Sequence, residues 1–387
     1  MIELTYLRTI DNVWFITIFA QSIIMTMKKK IMIAISIFIG IIIAILLAGY
    51  IFLNTPAFGR LPQGERLERI NRSPHYRNGQ FHNLQSAPLI TSKRSKLSNI
   101  WRFLTDKPAN LIPSQPISAV KSDLKALPCD SDLIVWFGHS SYMLQLSGRR
   151  FLVDPVFYKA APVAFVNKPF PGTDIYKPCD MPEYIDYLVI SHDHWDHLDY
   201  NTVKELRNRV GKVICPLGVG EHFEYWGYDK SQLIELDWNE SADLQTGFVV
   251  HCLPARHFSG RGLTSNKTLW ASFLIDTPSL SVFIGGDSGY GNHFKEIGHE
   301  FPDIDIAILE NGQYNEEWKY IHTMPDKLGQ AATDLGCQNI ITVHHSKYAL
   351  ARHPWNEPLD NEQKAAKENN LKLTVLCIGV PTPLYMK

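Results

Sequence analysis

The nine residues Ser191 to Asp199, SHDHWDHLD, restrict the fold more than any other part of the chain, because histidines interleaved with aspartates in so short a run do not make ordinary core. The run reads His-x-His-x-Asp-His. An apolar segment, DYLVIS, leads into it and a helix-like pattern, NTVKELRNRV, leads out, which predicts a loop between a strand and a helix. His192 and His194, two apart on extended chain, point to one side and can hold one metal ion. Asp196 and His197 fall where the backbone turns into the helix, so their side chains diverge from the first pair and can reach a second metal. Imidazole plus carboxylate, without thiolate, suits zinc first and iron or manganese second. The plainer reading is a polar loop with stray histidines, and the spacing of three His with an Asp argues against it.

Such a site needs ligands from elsewhere, and other apolar runs end in them. FVVHCLPARHFSG places His257 just past a strand, SVFIGGDSGYG leads to Asp287, and NIITVHHSKYA delivers the adjacent His344 and His345. In this order of blocks the chain resembles the metallo-β-lactamase superfamily. Within it, WFGHSSYMLQLSGRRFLVDPVF, the SHDHWDHLD loop, PARHFSGRG followed by LWASFLI, FIGGDSGYG and HHSKYALARHPWNEP are similar to N-acylphosphatidylethanolamine-hydrolysing phospholipase D and its bacterial relatives of the RomA type. The resemblance implies a four-layer αββα sandwich. It also implies one zinc on His192, His194 and His257, a second on Asp196, His197 and His344, and Asp287 bridging the two. His322, in YIHTMP, stands where that family has a pocket histidine, and with Asp196 and Asp287 it makes up the expected catalytic set. His345, the alternative to His344, is expected to line the pocket. His139, ending the strand before SSY, and Asp154, closing RFLVD, are expected to brace ligands or border the pocket.

Two zinc ions about 3.5–4 Å apart can share a hydroxide, form it at neutral pH and clamp the attacking and leaving oxygens, so hydrolysis is the natural reaction. Residual positive charge on the pair favours a phosphodiester, or a carbonyl that becomes anionic in the transition state. A di-iron oxygen-reducing centre would use similar ligands, but no flavin domain accompanies it. GDSG at Gly286 to Gly289 mimics a serine-protease nucleophile loop, yet Asp305 follows Ser288, against the order His, Asp, Ser of the chymotrypsin arrangement.

A second feature is Ile31 to Leu53, an uncharged apolar run directly after Lys28, Lys29 and Lys30. As a helix it reaches about 35 Å, enough to cross a hydrocarbon core. The lysines predict a cytoplasmic N-terminus and a catalytic domain on the periplasmic side, although Arg60, Arg66, Arg69 and Arg72 on the other flank oppose that bias. A cleaved signal peptide is the rival reading, but the run is long for one and no A-x-A site follows it. Met25 or Met27 would serve as a natural start. The expected organisation is a cytoplasmic segment 1–30, a transmembrane helix 31–53, an irregular arm 54–128 rich in Pro, Arg, Asn and Ser, and a hydrolase domain 129–387.

A net charge of -1 supplies no general basic field, which argues against nucleic acid as the substrate. The six cysteines are scattered without a C-x-x-C, so Cys215 and Cys252 read as buried thiols, while a Cys129–Cys179 pair stays open. The membrane anchor points to a phospholipid substrate, and the aromatic segment PVFYKAAPVAFVNKPFPG after Asp154 reads either as the border of an acyl-chain groove or as a packed surface loop. The alternatives are a hydrolase of lactones, β-lactams or another small molecule, and a non-catalytic metal-binding envelope protein.

Overall fold

The computed structural model describes residues 2–92, 94–105, 108–163 and 166–384, in two units divided between Thr55 and Pro56. The first unit is a single helix, α1 (Ile2–Leu53), whose described side chains lie almost entirely exposed. It starts well before the expected Ile31, because Trp14 to Met27, WFITIFAQSIIMTM, contains neither proline nor glycine to stop it. From Trp14 to Leu53 it is long and apolar enough to cross a membrane.

The second unit opens with α2 (Gly64–Arg72), a hairpin of β1 (Tyr76–Arg77) and β2 (Gln80–Phe81), and α3 (Lys96–Thr105). Two mixed sheets follow. The first holds β3 (Leu133–Trp136), β4 (Tyr142–Leu146), β5 (Arg149–Val153), β6 (Ile185–Val189), β7 (Val210–Pro216) and β8 (Leu233–Leu236). The second holds β9 (Ser241–Asp243), β10 (Val249–Leu253), β11 (Ser272–Asp276), β12 (Ser281–Ile284), β13 (Ile306–Glu310), β14 (Asn339–Val343) and β15 (Lys372–Thr374), while β16 (Thr382–Pro383) returns to pair with β3. Pairing is antiparallel from β3 to β5 and from β9 to β12, then parallel from β5 to β8 and from β12 to β15.

Strand alternation sorts the side chains into layers. Ile134, Leu144, Val153 and Val189 of the first sheet meet Val250, Phe273, Ile284 and Ile308 of the second. Their neighbours Val135, Met143, Leu152 and Leu188 face away, toward Val203 and Leu206 of α4 (Tyr200–Leu206) and Phe223 of α5 (Gly220–Tyr225). On the opposite side Leu274, Phe283 and Ala307 pack with α6 (His293–Glu300), α7 (Leu328–Asp334) and α8 (Glu357–Asn369). This is the expected αββα sandwich.

Two expectations are corrected. Residues 56–92 of the expected irregular arm 54–128 belong to the same unit as the sandwich: Ile70 of α2 and Phe81 of β2 join the core between the sheets, and the Arg66 guanidinium bonds Glu221, Glu224 and Glu235. Their polar composition serves ion pairs with the sheet edge. None of the described residues of the segment after Asp154 lines the cavity described below: Phe157 packs on Phe137 in an outer core and the Phe170 amide donates to the Lys347 carbonyl. Ala164 and Phe165 of that segment lie outside the described residues. All six cysteines are unpaired, Cys129 and Cys179 exposed among them.

Candidate metal centre

The Ser191–Asp199 loop leaves β6 and ends where Asp199 caps α4, accepting from the Asn201 amide. Along the loop side chains alternate. Asp193 turns inward as a brace, taking bonds from His222 Nε2 (3.1 Å), Thr268 Oγ1 (2.8 Å) and the Gly260 amide (2.7 Å). His192 and His194 turn the other way, so that His192 Nε2 lies 2.8 Å and His257 Nε2 3.2 Å from His194 Nδ1. The His257 ring is set by its Nδ1, which donates to the Ile321 carbonyl at 2.7 Å. Its backbone is set by Asn83, whose side chain bonds both the His257 carbonyl and amide.

A second group assembles across the sheet ends. His197 donates from Nδ1 to Asp154 Oδ2 at 2.8 Å, which leaves Nε2 3.2 Å from Asp287 Oδ1 and 3.7 Å from Asp196 Oδ2. His344 Nδ1 lies 3.1 Å from Asp287 Oδ1 and 2.8 Å from Ser140 Oγ. The other Asp287 oxygen faces the first group, 3.7 Å from His257 Nε2 and 3.9 Å from His192 Nε2. Asp287 thus presents one oxygen to each group. His139 donates from Nε2 to Asp196 Oδ2 at 2.9 Å, and Asp154 also accepts from the Ser191 amide and hydroxyl.

This donor set fits cations. His197 Nε2, His344 Nε2, His139 Nδ1 and Asp287 Oδ1 are buried with no hydrogen-bond partner, a costly state for protein groups alone. Burial and neighbouring imidazoles push His192 well below the usual histidine range, and burial also lowers His257 and His344. Neutral imidazole is the ligating form. Against the penalty of burial, the carboxylates of Asp287, Asp196 and Asp154 lift His197 well above its usual range. Burial likewise opposes charge on Asp287, yet His197 and His344 hold it well below the ordinary carboxylate value. The backbone is strained at the same place: His139, Asp154 and His344 have φ of 55°, 41° and 69°. The His139 amide donates to the His345 carbonyl and the His344 amide to the His139 carbonyl, so these turns clasp each other.

His322 Nδ1 bonds Glu310 Oε2 at 2.7 Å and lies 4.0 Å from Asp287 Oδ2. Glu310 also accepts from the Ser288 and Thr323 amides, tying the loops that carry Asp287 and His322. Burial pushes Glu310 up to about 7 despite the opposing pull of His322. Sequence reasoning missed Glu310, although a carboxylate closing the apolar strand IDIAILE was a usable signal. It also missed Asn83, which lies far away in sequence and carries no signal of its own. His345 is a correction: it bonds Thr342 Oγ1 and Ser346 Oγ and packs on Trp136, so it braces β14 and does not line the pocket.

Above the cluster opens a cavity of about 360 Å³, walled by Leu89, Ile90, Phe258, Trp318, Ile321 and Leu350, with His194, Asp196, His257, Asp287, His322 and His344 at its polar end. Among the described lining residues there is no lysine or arginine.

Comparison with known proteins agrees with this fold. Residues 149–345 match the beta-lactamase superfamily domain. An uncharacterised protein of Mycobacterium tuberculosis is 37% identical over 310 residues, 79% of this chain and 82% of its own. The N-acyl-phosphatidylethanolamine-hydrolyzing phospholipase D 1 of Caenorhabditis elegans is 32% identical over 232 residues, 56% of this chain and 64% of that protein. Among solved structures, CmlA, a diiron beta-hydroxylase from Streptomyces venezuelae, superposes with a TM-score of 0.51 at 17% identity, over 66% of this chain and 54% of its own. With the domain match covering half its length and the fold agreeing, the chain belongs to the beta-lactamase superfamily.

Proposed function

We propose that the protein is a membrane-anchored binuclear metallohydrolase that cleaves N-acylphosphatidylethanolamine or a related phospholipid in the manner of a phospholipase D. The observation that carries this reading is the cavity: an apolar wall leads to two groups of metal-binding atoms that share Asp287. His192, His194 and His257 would hold one ion, Asp196, His197 and His344 the other, with zinc favoured by the donor set. Bound metals would supply acidified water and stabilise charge developing on phosphoryl oxygens.

The chain's own residues account for the rest. The wall of Leu89, Ile90, Trp318 and Leu350 accommodates acyl chain and excludes water from the polar end. Glu310 fixes the His322 ring through Nδ1, which leaves Nε2 for proton exchange with the departing alcohol. The likeness to the Caenorhabditis elegans phospholipase D supports the choice of substrate class.

The apolar helix would hold the site at a lipid surface, with Lys28 to Lys30 in the cytoplasm and the hydrolase domain in the periplasm. Reporter fusions at the C-terminus test that sidedness, and activity of a cytoplasm-only reporter would reverse it. CmlA carries iron on a related fold, so elemental analysis of a chelator-free preparation decides the metal. The substrate reading is tested with the purified protein on a phospholipid panel in vesicles, with and without chelator. Cleavage that chelation abolishes is the expected result, and rapid turnover of a lactone or β-lactam with every phospholipid left intact would overturn it.

A further inference from the structure

The outer side of the Ser191–Asp199 loop is held by Arg261 and by the segment Pro56–Arg60. Arg261 is 5% exposed, and its guanidinium reaches three carbonyls. Nη1 donates to Asp193 (2.9 Å) and Leu198 (2.6 Å), near the two ends of the metal loop, while Nη2 and Nε donate to Ala57 (2.9 and 3.2 Å). The guanidinium lies 4.1 Å from the centre of the Trp195 ring, and that indole donates back to the Arg261 carbonyl. Phe58 meets the same indole edge-on at 5.0 Å.

Either side of these contacts the same segment is pinned again. The Pro56 carbonyl accepts from Trp226 Nε1 at 2.7 Å. The Arg60 amide donates to His222 Nδ1 at 3.1 Å, and the far nitrogen of that ring bonds the Asp193 carboxylate. Between them Gly59 has φ 73°, and a Cβ there would stand 2.1 Å from His222 Nδ1, so only glycine lets the chain pass.

We propose that Pro56–Arg60 is part of the scaffold of the metal centre, and that Arg261 is a positioning residue that uses it to hold His192 and His194 in converging geometry. The physical reason is over-determination. A loop that must present His192 and His194 on one side cannot also satisfy its own carbonyls by regular structure, and an arginine with five donors in a fixed fork can satisfy several at once. One nitrogen, Arg261 Nη1, ties the carbonyls of Asp193 and Leu198 to each other, and Nη2 of the same fork ties both to Ala57. Pro56–Arg60 follows directly on the candidate membrane helix, so the segment that would leave the bilayer also shapes the metal loop.

The inference rests on the proposed metal centre, and the test separates the two. Full-length protein and the variants Gly59→Ala, Arg261→Lys and Arg261→Met are titrated with zinc against a chromophoric chelator, and melting is followed in excess chelator. Loss of an outer-sphere support typically weakens metal binding 10- to 100-fold, and Gly59→Ala and Arg261→Met should fall in that range, each with a lowered metal-free melting temperature but still folded under the conditions of the titration. Arg261→Lys should lie between them and wild type, since one ammonium keeps the charge but cannot span both sides of the fork. Lys230→Ala, which breaks an exposed pair with Glu65, should bind as wild type does. If both severe variants fail to fold, Phe58→Ala decides, and a zinc Kd raised at least threefold is expected. Wild type that binds no metal would sink the metal centre and this inference together. Wild type that loads, with folded variants of equal affinity, would overturn the inference alone.

Discussion

Replacing Asp154 by Asn should weaken one half of the proposed metal centre while leaving the fold intact. The carboxylate accepts three hydrogen bonds: Oδ1 accepts from the Ser191 amide at 2.8 Å, and Oδ2 accepts from Ser191 Oγ at 2.6 Å and His197 Nδ1 at 2.8 Å. A carboxamide has one acceptor oxygen, so either orientation sets its NH2 against a donor. With NH2 toward Oδ2's partners, the His197 ring is relieved only by moving its proton to Nε2, the atom that faces Asp287 Oδ1 at 3.2 Å. That tautomer cannot ligate. With NH2 toward Oδ1's partner, the buried Ser191 amide is opposed and the start of the metal loop shifts. Loss of such a support costs about 10- to 100-fold in affinity, or ~1.4–2.7 kcal/mol, at the ion held by His197. The ion on His192, His194 and His257 should be retained. Competition titration of Asp154→Asn against a chelator, with circular dichroism to confirm folding, should show one zinc bound as in wild type and one weakened. Two equivalents at wild-type affinity would refute the reasoning.

Three further outcomes are expected. Asp287→Asn removes the group placed between both proposed sites and should abolish hydrolysis more completely than His139→Ala, whose ring bonds Asp196 and packs on His344 from outside; comparing kcat in folded variants checks this, and the reverse order would contradict it. His344→Ala should cost one metal equivalent, whereas His345→Ala should keep both and lose roughly 1–3 kcal/mol of stability, because its ring bonds Thr342 and Ser346 away from the centre; metal content and melting of the pair decide. Burial pushes Glu362 up to about 7, so the folded protein holds this proton more tightly than the unfolded chain does. The stability it confers is therefore full below about pH 4.5 and declines as pH rises toward 7, by up to ~3 kcal/mol at 1.36 kcal/mol per unit. Glu362→Gln should melt near wild type at pH 5 and above it at pH 8, and an equal difference at both would refute the assignment.

The strands that build the sandwich were legible because their apolar runs are short and bounded by turns, and the helices α7 and α8 stand out in DKLGQAATDLG and NEQKAAKENN. Strands β8, β9 and β16 were not, since LIEL, SAD and TP are too short or too polar to carry a period. The residues the loop spacing singled out meet at one edge because the C-terminal end of β6 in one sheet opens there beside those of β12 and β14, which flank β13 in the other. What the sequence hides is support that depends on distant pairing. Asn83 reaches His257 across 174 positions, and Arg261 reaches Ala57 across 204. Residues 56–92 hide their packing for the same reason: their arginines and prolines read as an irregular arm, and only the buried Glu221 and the half-buried Glu235 that Arg66 meets give that composition its role. His344 and His345 are indistinguishable by composition, and the left-handed turn at His344 is what separates their directions.

The central claim is tested most directly by the bond that breaks. Vesicles of N-acylphosphatidylethanolamine are incubated with the full-length protein in oxygen-18 water, and the products are analysed by mass spectrometry. Attack at phosphorus should place one labelled oxygen in phosphatidic acid and release an unlabelled N-acylethanolamine, with both products lost on chelation and restored by zinc. Label in a carboxylate, or intact phospholipid beside an efficiently hydrolysed lactone or β-lactam, would contradict it.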